Sequence, residues 1–365
     1  MSIFSRVLLS VFMICVLVFG VILTASFTLT FNAKDLSISQ YQDVITGKFT
    51  SKVESAYEKN VPFHSAAVHL FNAISFNLFG EARTGALVGR DGWLFTTEEF
   101  SWSRRSEDNL AAAFERVLEV RSVLKAKGAD LVVLPVPAKA AVAANKLGDL
   151  ILPSRNAGVY DRFRTFLEDK NIRSVDLQRA YDIPGADRLF LVSDTHWSTE
   201  GSSVAARTAC NEISTLKPLH EMTFEAKTRM EVLHVGDLSK FIDMGWFAPA
   251  SVHAADRIVG IDAAMIISDA DSLFADSTHQ NDPAIPLALV GTSYSANSTW
   301  SFEDHLKLAC GMDVLNYSQE GRGPFEPMSA FLKTIEKGPI APIVVWEIPV
   351  RYLDDLDRDA LRKTL

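Results

Sequence analysis

Residues 285–295 read IPLALVGTSYS, an apolar run that leads directly into a glycine and a serine. The apolar part has the composition of a strand buried on both faces, and Gly291 permits a tight turn after it. A helical pattern resumes at Phe302, so Ser293 lies between the carboxyl end of a strand and a helix. In open parallel sheets, functional groups collect at that edge. The stretch therefore predicts an α/β protein with a functional serine at position 293.

The rest of the chain alternates in the same way between apolar strands and amphipathic helices. Strands are predicted over residues 131–134, 172–177, 287–290, 314–315 and 343–346. Helical spacing of apolar residues is found over 110–124 (with Ser106 as N-cap and Gly128 as stop), 159–167, 199–216 (capped by Ser198 or Thr199), 302–309 and 331–335. Such alternation predicts a parallel sheet covered by helices on both faces. Asp91-Gly92 between apolar runs predicts a hairpin, and residues 217–284 fit the pattern poorly and are expected to form an insertion.

A second motif, Asp194-Thr195-His196-Trp197, precedes the predicted helix at 199. A serine hydroxyl is a poor nucleophile near neutral pH, so it needs a base within hydrogen-bond reach and a third group that fixes the tautomer of the base. We predict Ser293 as the nucleophile, His196 as the general base and Asp194 as the orienting acid. The competing interpretations are a plain helix cap at Ser293 and ordinary polarity of a helix start at His196.

The oxyanion donors and substrate contacts are less sharply marked. The Ser293 N–H is one candidate donor, and the loop after the strand at 314–315 could bring a glycine N–H close or could be a flexible turn. Lys139 and Arg351 would either bind substrate or pair with surface acids, and Trp197 is more typical of a core. The candidates for these roles are Gly321, Gly323, Tyr294, Lys139, Arg351 and Trp197.

Composition excludes some classes of function. The chain has 365 residues, 48% of them hydrophobic, and a net charge of −9, which suits one large domain or two small ones. Lys and Arg do not cluster, which argues against a nucleic-acid partner. The sequence has no His-x-x-x-His or Cys-x-x-Cys pattern, so we predict no metal site. Cys210 and Cys310 could pair in an oxidising compartment or remain buried thiols.

The amino terminus carries an uncharged apolar run from residue 7 to residue 25. A helix of that length spans roughly 28 Å, close to the hydrocarbon thickness of a bilayer. Arg6 precedes the run, and the positive-inside rule then places the amino terminus in the cytoplasm and the remaining chain outside. A cleaved signal peptide and a buried helix of a soluble protein are the alternatives. We expect residues 1–30 to be a signal anchor and transmembrane helix, 31–60 a membrane-proximal stalk and 61–365 the catalytic domain.

Taken in order, these motifs resemble those of the alginate O-acetyltransferase family, the AlgX/AlgJ type with an SGNH-hydrolase-like domain. The resemblance covers roughly residues 60–355. It is carried by the segments VGRDGWLF at 88–95, PVPAK at 135–139, DTHW at 194–197, GTSYS at 291–295 and WEIP at 346–349, with Arg351 and Tyr352.

The resemblance implies a flavodoxin-like, three-layer fold of the SGNH-hydrolase kind. In the wider SGNH hydrolases the serine block precedes the Asp–His block, and the reversed order here implies the permuted topology of this family. The chain stops at Leu365, too soon for the carbohydrate-binding domain that one member type carries, so it resembles the single-domain, membrane-anchored type.

The resemblance also implies a nucleophile at Ser293, a general base at His196 and an acid at Asp194, acting on the periplasmic side of the bacterial inner membrane. The expected substrate is a secreted exopolysaccharide such as alginate. No cofactor is implied, because a membrane-embedded acyltransferase partner supplies the acetyl group. A carbohydrate acetylesterase and a non-catalytic scaffold of a polysaccharide acetylation complex are the alternative functions.

Overall fold

The computed structural model describes residues 13–14, 17–22, 44–60, 64–216, 222–247, 256–266 and 287–354. The chain divides into two compact units, one formed by residues 1–75 with 243–248 and the other by 76–242 with 249–365. The first unit contains helices α1 (Lys48–Asn60) and α2 (His64–Ile74). Within it the Asn72 side chain donates a hydrogen bond to the Asp243 carbonyl at 2.6 Å.

The predicted membrane anchor at residues 1–30 lies mostly outside the described residues. In the parts of the chain that the structure describes, no helix is both long and apolar enough to cross a bilayer. The described part of the predicted stalk, residues 44–60, contains α1.

The strands of the second unit are short except at its centre. In chain order they are β1 (Ala86–Val88), β2 (Leu94–Thr96), β3 (Asp130–Val136), β4 (Arg173–Ser174), β5 (Phe224–Thr228), β6 (Val232–His234), β7 (Asp256–Ile258), β8 (Ile261–Met265), β9 (Leu287–Val290), β10 (Val314–Asn316) and β11 (Ile343–Pro349). Its longer helices are α3 (Ser106–Ala126), α4 (Val159–Asp169), α5 (Thr199–Ser214), α6 (Phe302–Cys310) and α7 (Phe325–Thr334).

Two local predictions need correction. Ser106 does not cap α3 but is its first residue, and its hydroxyl accepts from the Ser103 N–H at 2.9 Å. The strand predicted at 172–177 shrinks to β4, because Asp176 caps a one-turn helix, Leu177–Ala180, that ends the extended segment. The hairpin at Asp91-Gly92 is confirmed by the antiparallel pairing of β1 with β2.

The central sheet has five parallel strands in the order β10-β9-β11-β3-β4. Counted from β9, this is the 2-1-3-4-5 order of flavodoxin-like sheets, with β3 and β4 moved to the front of the chain. The predicted parallel sheet is therefore confirmed. The carboxyl end of β9 lies at the switch point of the sheet, where ligands bind in such folds.

Side chains alternate between two apolar layers, one on each face of the sheet. On β11, Val345 faces the layer that α5 and α6 cover, whereas Trp346 faces the layer of α3, α4 and α7. Cys210 of α5 and Cys310 of α6 meet inside the first layer as free, buried thiols that hydrogen bond to each other.

The segment predicted as an insertion, 217–284, stands apart from the parallel sheet. Its described parts, 222–247 and 256–266, form two antiparallel pairs, β5 with β8 and β6 with β7. These ribbons place carboxylates and an imidazole next to the segment that joins β4 to α5.

We predict that Gly201→Ala destabilises the protein. Ser198 caps α5 by accepting from the Gly201 N–H at 3.1 Å, and a Cβ at position 201 would lie 2.1 Å from the Leu189 carbonyl oxygen. Alanine ordinarily stabilises a helix by about 1 kcal/mol relative to glycine, but the clash with backbone should lower the free energy of unfolding by about 1–2 kcal/mol net. Urea unfolding measures this, with Ser203→Ala on the same helix as control. A Gly201→Ala protein as stable as the parent would contradict it.

Candidate active site

The turn that carries Ser293 is bound from behind by a buried carboxylate. Thr292 is the N-cap of the one-turn helix Ser293–Ala296. Glu347, on the neighbouring strand β11, accepts from the Thr292 N–H at 2.7 Å and from the Ser295 hydroxyl at 3.1 Å. A Cβ at position 291 would lie 2.4 Å from Glu347 Oε2, so this close approach requires Gly291. The sheet therefore fixes the direction of the serine turn.

Glu347 is fully buried in this position. Burial raises the pKa of its carboxyl to about 7, although the hydrogen bonds from Thr292 and Ser295 favour the charged form. The group that holds the serine turn therefore titrates near neutral pH.

The structure brings the three predicted triad residues together in one line of hydrogen bonds. Ser293 Oγ lies 2.6 Å from His196 Nε2, and His196 Nδ1 lies 2.5 Å from Asp194 Oδ1. Trp300 stacks on the imidazole with ring centroids 5.1 Å apart, and its indole N–H donates to the Ser293 carbonyl at 3.1 Å. The indole therefore restricts both the imidazole of His196 and the serine turn.

Asp194 is bonded through both of its oxygens. Oδ1 also accepts from the His196 backbone N–H at 3.0 Å, while Oδ2 lies 2.7 Å from His234 Nε2 and accepts from the Asp237 N–H at 3.0 Å. Burial raises the pKa of the Asp194 carboxyl, but the hydrogen bonds from His196 and His234 outweigh burial and hold that pKa well below its usual range. Asp194 is therefore a stable anion.

Carboxylates of the insertion satisfy the backbone N–H groups of Val192, Ser193 and Thr195. Asp256 accepts from the Val192 N–H at 2.8 Å, and Asp237 accepts from the Thr195 N–H at 2.9 Å. Ligand-type atoms of Asp237, Asp194 and His196 lie within 4.8 Å of one another. Such a spacing could suit a metal ion. Because all three side chains are already hydrogen bonded to protein groups, we interpret the cluster as part of the hydrogen-bond network of the site.

Lys139 holds the carbonyl side of the same loop. Its ammonium donates to the carbonyls of Leu94, Val192 and Asp194 at 2.6, 3.0 and 2.8 Å, and the side chain is only 1% exposed. Burial lowers the pKa of Lys139 to about 8. Both interpretations offered above for Lys139, a substrate contact and a surface ion pair, are therefore wrong, because the charge is enclosed and bound to backbone.

Tyr294 and Arg351 lie behind the imidazole and are both buried. The Tyr294 hydroxyl donates to the Thr195 carbonyl at 2.5 Å and accepts from Arg351 Nη1 at 2.9 Å. The tyrosine ring lies 4.6 Å from the ring of His196. Arg351 Nε also lies 3.3 Å from the carboxylate of Glu98, whose side chain is 48% exposed, so the prediction that Arg351 pairs with a surface acid is confirmed. Tyr294 and Arg351 hold the His196 segment from inside the protein.

The remaining candidates lie outside the hydrogen-bonded line. Trp197 is completely buried in the apolar layer beside α5. Gly321 and Gly323 are in the loop after β10, and this loop contacts the serine turn through Gln319, whose N–H donates to the Gly291 carbonyl at 3.1 Å. No described contact joins either glycine to Ser293.

His234, Asp237 and Trp300 contact the predicted triad residues but are not among the residues predicted from the sequence. His234 and Asp237 fall in a segment without sheet or helix periodicity, and His234 has no metal-binding spacing to other histidines. The string His234-Val235-Gly236-Asp237 was the available signal, since it offers an imidazole and a carboxylate in a short turn. Trp300 carried no signal beyond an apolar position near Ser293.

A family model described as SGNH hydrolase-like domain, acetyltransferase AlgX, matches residues 86–350. The chain belongs to this family.

Among curated proteins, the chain is similar to the probable alginate O-acetylase AlgJ of Pseudomonas fluorescens, with 34% identity over 319 residues, which is 85% of this chain and 79% of the relative. It is similar to AlgJ of Pseudomonas aeruginosa at 34% identity over 332 residues, which is 85% of this chain and 81% of that protein. Among solved structures, the O-acetyltransferase domain of Pseudomonas putida AlgJ matches with a TM-score of 0.65 and 30% identity, over 77% of this chain and 99% of that one.

We predict that Lys139→Met destabilises the protein by about 2–4 kcal/mol. Methionine has similar bulk, but three buried carbonyl groups would lose a charged donor. Denaturant unfolding at pH 7 measures the loss, with Lys170→Met at an exposed position as the matched control. Equal stability of the two variants would contradict the role assigned to Lys139.

We predict that Glu347→Gln changes how stability depends on pH. The pKa of Glu347 is raised from 4.5 to about 7 in the folded protein. Between these two pH values the folded state keeps a proton on Glu347 that the unfolded state has released. A rise in pH from about 5 to about 7.5 should therefore lower the free energy of unfolding of the parent relative to Glu347→Gln, by roughly 2–3 kcal/mol. Unfolding curves at several pH values measure the difference, with the exposed Glu326→Gln as control. Parallel pH curves for the parent and Glu347→Gln would refute the assignment.

Proposed function

We propose that this protein transfers acetyl groups to hydroxyl groups of a secreted polysaccharide, alginate or a similar polymer, through an acetyl-serine at Ser293. The observation that carries the proposal is the continuous hydrogen-bonded line from Ser293 through His196 to Asp194, in a chain that belongs to an acetyltransferase family. Similarity to proteins named alginate O-acetylase supports the choice of polymer.

In the first half of the reaction, Ser293 Oγ attacks the acetyl carbonyl carbon of the donor. His196 Nε2 takes the hydroxyl proton as the new C–O bond forms, and Asp194 stabilises the resulting imidazolium. The Ser293 N–H belongs to the first turn of its helix, where backbone donors have no partner within the helix, and we assign it as one donor to the oxyanion. The leaving group departs with the proton from His196.

In the second half, a sugar hydroxyl attacks the acetyl carbon of the serine ester. His196, neutral again, takes the proton of that hydroxyl and returns it to Ser293 Oγ as the ester bond breaks. The products are an acetylated sugar and the free serine, so atoms and charges balance without a cofactor.

The donor and the location follow from the same proposal. A membrane-embedded acyltransferase would supply the acetyl group on the periplasmic side of the bacterial inner membrane, and the apolar run at residues 7–25 would anchor the protein there. Tagging the protein and separating membrane from soluble periplasmic fractions tests the location.

We predict that Ser293→Ala lowers the rate of acetyl transfer by roughly 10⁴- to 10⁶-fold, because it removes the nucleophile while leaving its neighbours in place. The assay combines p-nitrophenyl acetate as donor with an unacetylated alginate oligosaccharide and detects acetylated sugar by mass spectrometry. Ser298→Ala, an exposed serine on the following turn, is the matched control and should keep full activity.

This assay and a complementation experiment in cells separate the alternative functions. Acetate released without acetylated sugar would identify an esterase. A Ser293→Ala protein that still supports full acetylation of the polymer in cells would identify a scaffold and overturn the proposal.

A further inference from the structure

Asp194 differs from the acid of a simple serine triad because two imidazoles share its carboxylate. His196 bonds one oxygen and His234 bonds the other, at 2.5 and 2.7 Å. We propose that His234 is a positioning residue of the site: it holds the outer oxygen of Asp194, and gain or loss of its proton sets how strongly His196 activates Ser293. This inference rests on the proposed role of Ser293 as nucleophile.

The two imidazoles are packed against the same indole. Trp300 stacks on the ring of His196 at an interplanar angle of 20°, and the ring of His234 is nearly perpendicular to the indole at 88°, each with centroids 5.1 Å apart. His234 is therefore fixed by a ring contact as well as by its hydrogen bond. A change at His234 should reach His196 through Asp194 and through Trp300.

Of the two side chains in this hydrogen bond, His234 is the one that solvent reaches. The His234 side chain is 24% exposed, whereas that of Asp194 is 3% exposed. His234 can exchange a proton with water without movement of the buried acid.

The groups that face His234 are mainly negative. Asp194 lies in front of it, Asp237 follows it in the chain, and Asp256 is its cross-strand partner on β7. The hydrogen bond with Asp194 and the charges of these carboxylates raise the pKa of His234. On the same ribbon, Arg257 is neutralised by an ion pair with Glu231.

The charge of His234 sets how strongly the Asp194 carboxylate stabilises a positive charge on His196. Neutral His234 donates Nε2–H and leaves a full negative charge to stabilise the imidazolium of His196. Protonated His234 brings a positive charge to the other side of the same carboxylate and disfavours a second positive charge on His196. Activation of Ser293 should therefore decline in two steps as pH falls, and removal of the titrating group at 234 should leave one step.

The test measures Ser293 reactivity with phenylmethanesulfonyl fluoride, which does not depend on the natural substrate. Ser293 Oγ forms a bond to sulfur, fluoride leaves, and His196 takes the hydroxyl proton. The second-order rate of sulfonylation is followed by mass spectrometry from pH 5 to pH 9. The proteins are the parent, His234→Gln, His234→Ala and the control Val235→Thr, which changes an adjacent exposed side chain.

We expect two ionisations in the acid limb of the parent and of Val235→Thr. His234→Gln keeps a donor at the position of Nε2 but cannot titrate, so it should show one ionisation and a rate within about 3-fold of the parent above pH 8. His234→Ala also loses the donor and should react roughly 10- to 100-fold more slowly at every pH. A purely structural role would lower the rates without removing an ionisation.

The outcomes separate this inference from the proposed function. An unchanged two-step profile in His234→Gln, with the parent reactive, overturns the role of His234 alone. A parent that is not sulfonylated at Ser293 at any pH overturns the nucleophile, and the inference with it. A reactive Ser293 without acetyl transfer to polysaccharide overturns the proposed substrate. The role of His234 is then decided by the pH profiles of sulfonylation alone.

A second measurement keeps His234 in place. The Cε1–H resonance of His234 in Ser293→Ala is followed by NMR against pH, and it should shift in two steps because His234 shares the Asp194 carboxylate with a second imidazole. A single-step curve for His234 would overturn the inference.

Discussion

Residues 193–196 are buried and Val192 is partly buried, although none of them belongs to a helix or to the parallel sheet. Their backbone polar groups therefore need hydrogen-bond partners from other parts of the protein. The structure supplies these from two directions: Asp237 and Asp256 accept from N–H groups, and the Lys139 ammonium donates to carbonyls. These three partners are charged, which strengthens their hydrogen bonds. The position of His196, and with it the alignment toward Ser293, depends on this arrangement.

The two halves of the site are held by different means. The serine turn is attached to the central sheet through Glu347 and follows β9 directly, so the geometry of the strands determines it. The Asp–His loop is attached through the insertion and Lys139. Trp300 joins the halves, since it stacks on His196 and hydrogen bonds to the Ser293 backbone. The central sheet therefore holds the serine side of the site, and several charged side chains hold the histidine side.

The sequence predicted the features that rest on periodicity or on a short string of reactive residues. Uninterrupted apolar strands identified the parallel sheet, and the DTHW and GTSYS strings identified the three residues that meet in the site. The burial of Lys139 cannot be predicted from the sequence, because a lysine near a strand end is usually exposed and its neighbours along the chain do not show that three carbonyls surround it. His234 and Asp256 were missed because long-range contacts, rather than local pattern, give them their place.

The strand order has a consequence for biosynthesis. β11 lies in the middle of the sheet between β9 and β3, and Ile343 pairs with Asp130. A ribosome therefore releases β3 and β4 long before it makes the strand that connects them to β9, and contacts of such large sequence separation form slowly. The edges of β3 and β9 that pair with β11 therefore stay unpaired until residues 343–349 have been synthesised.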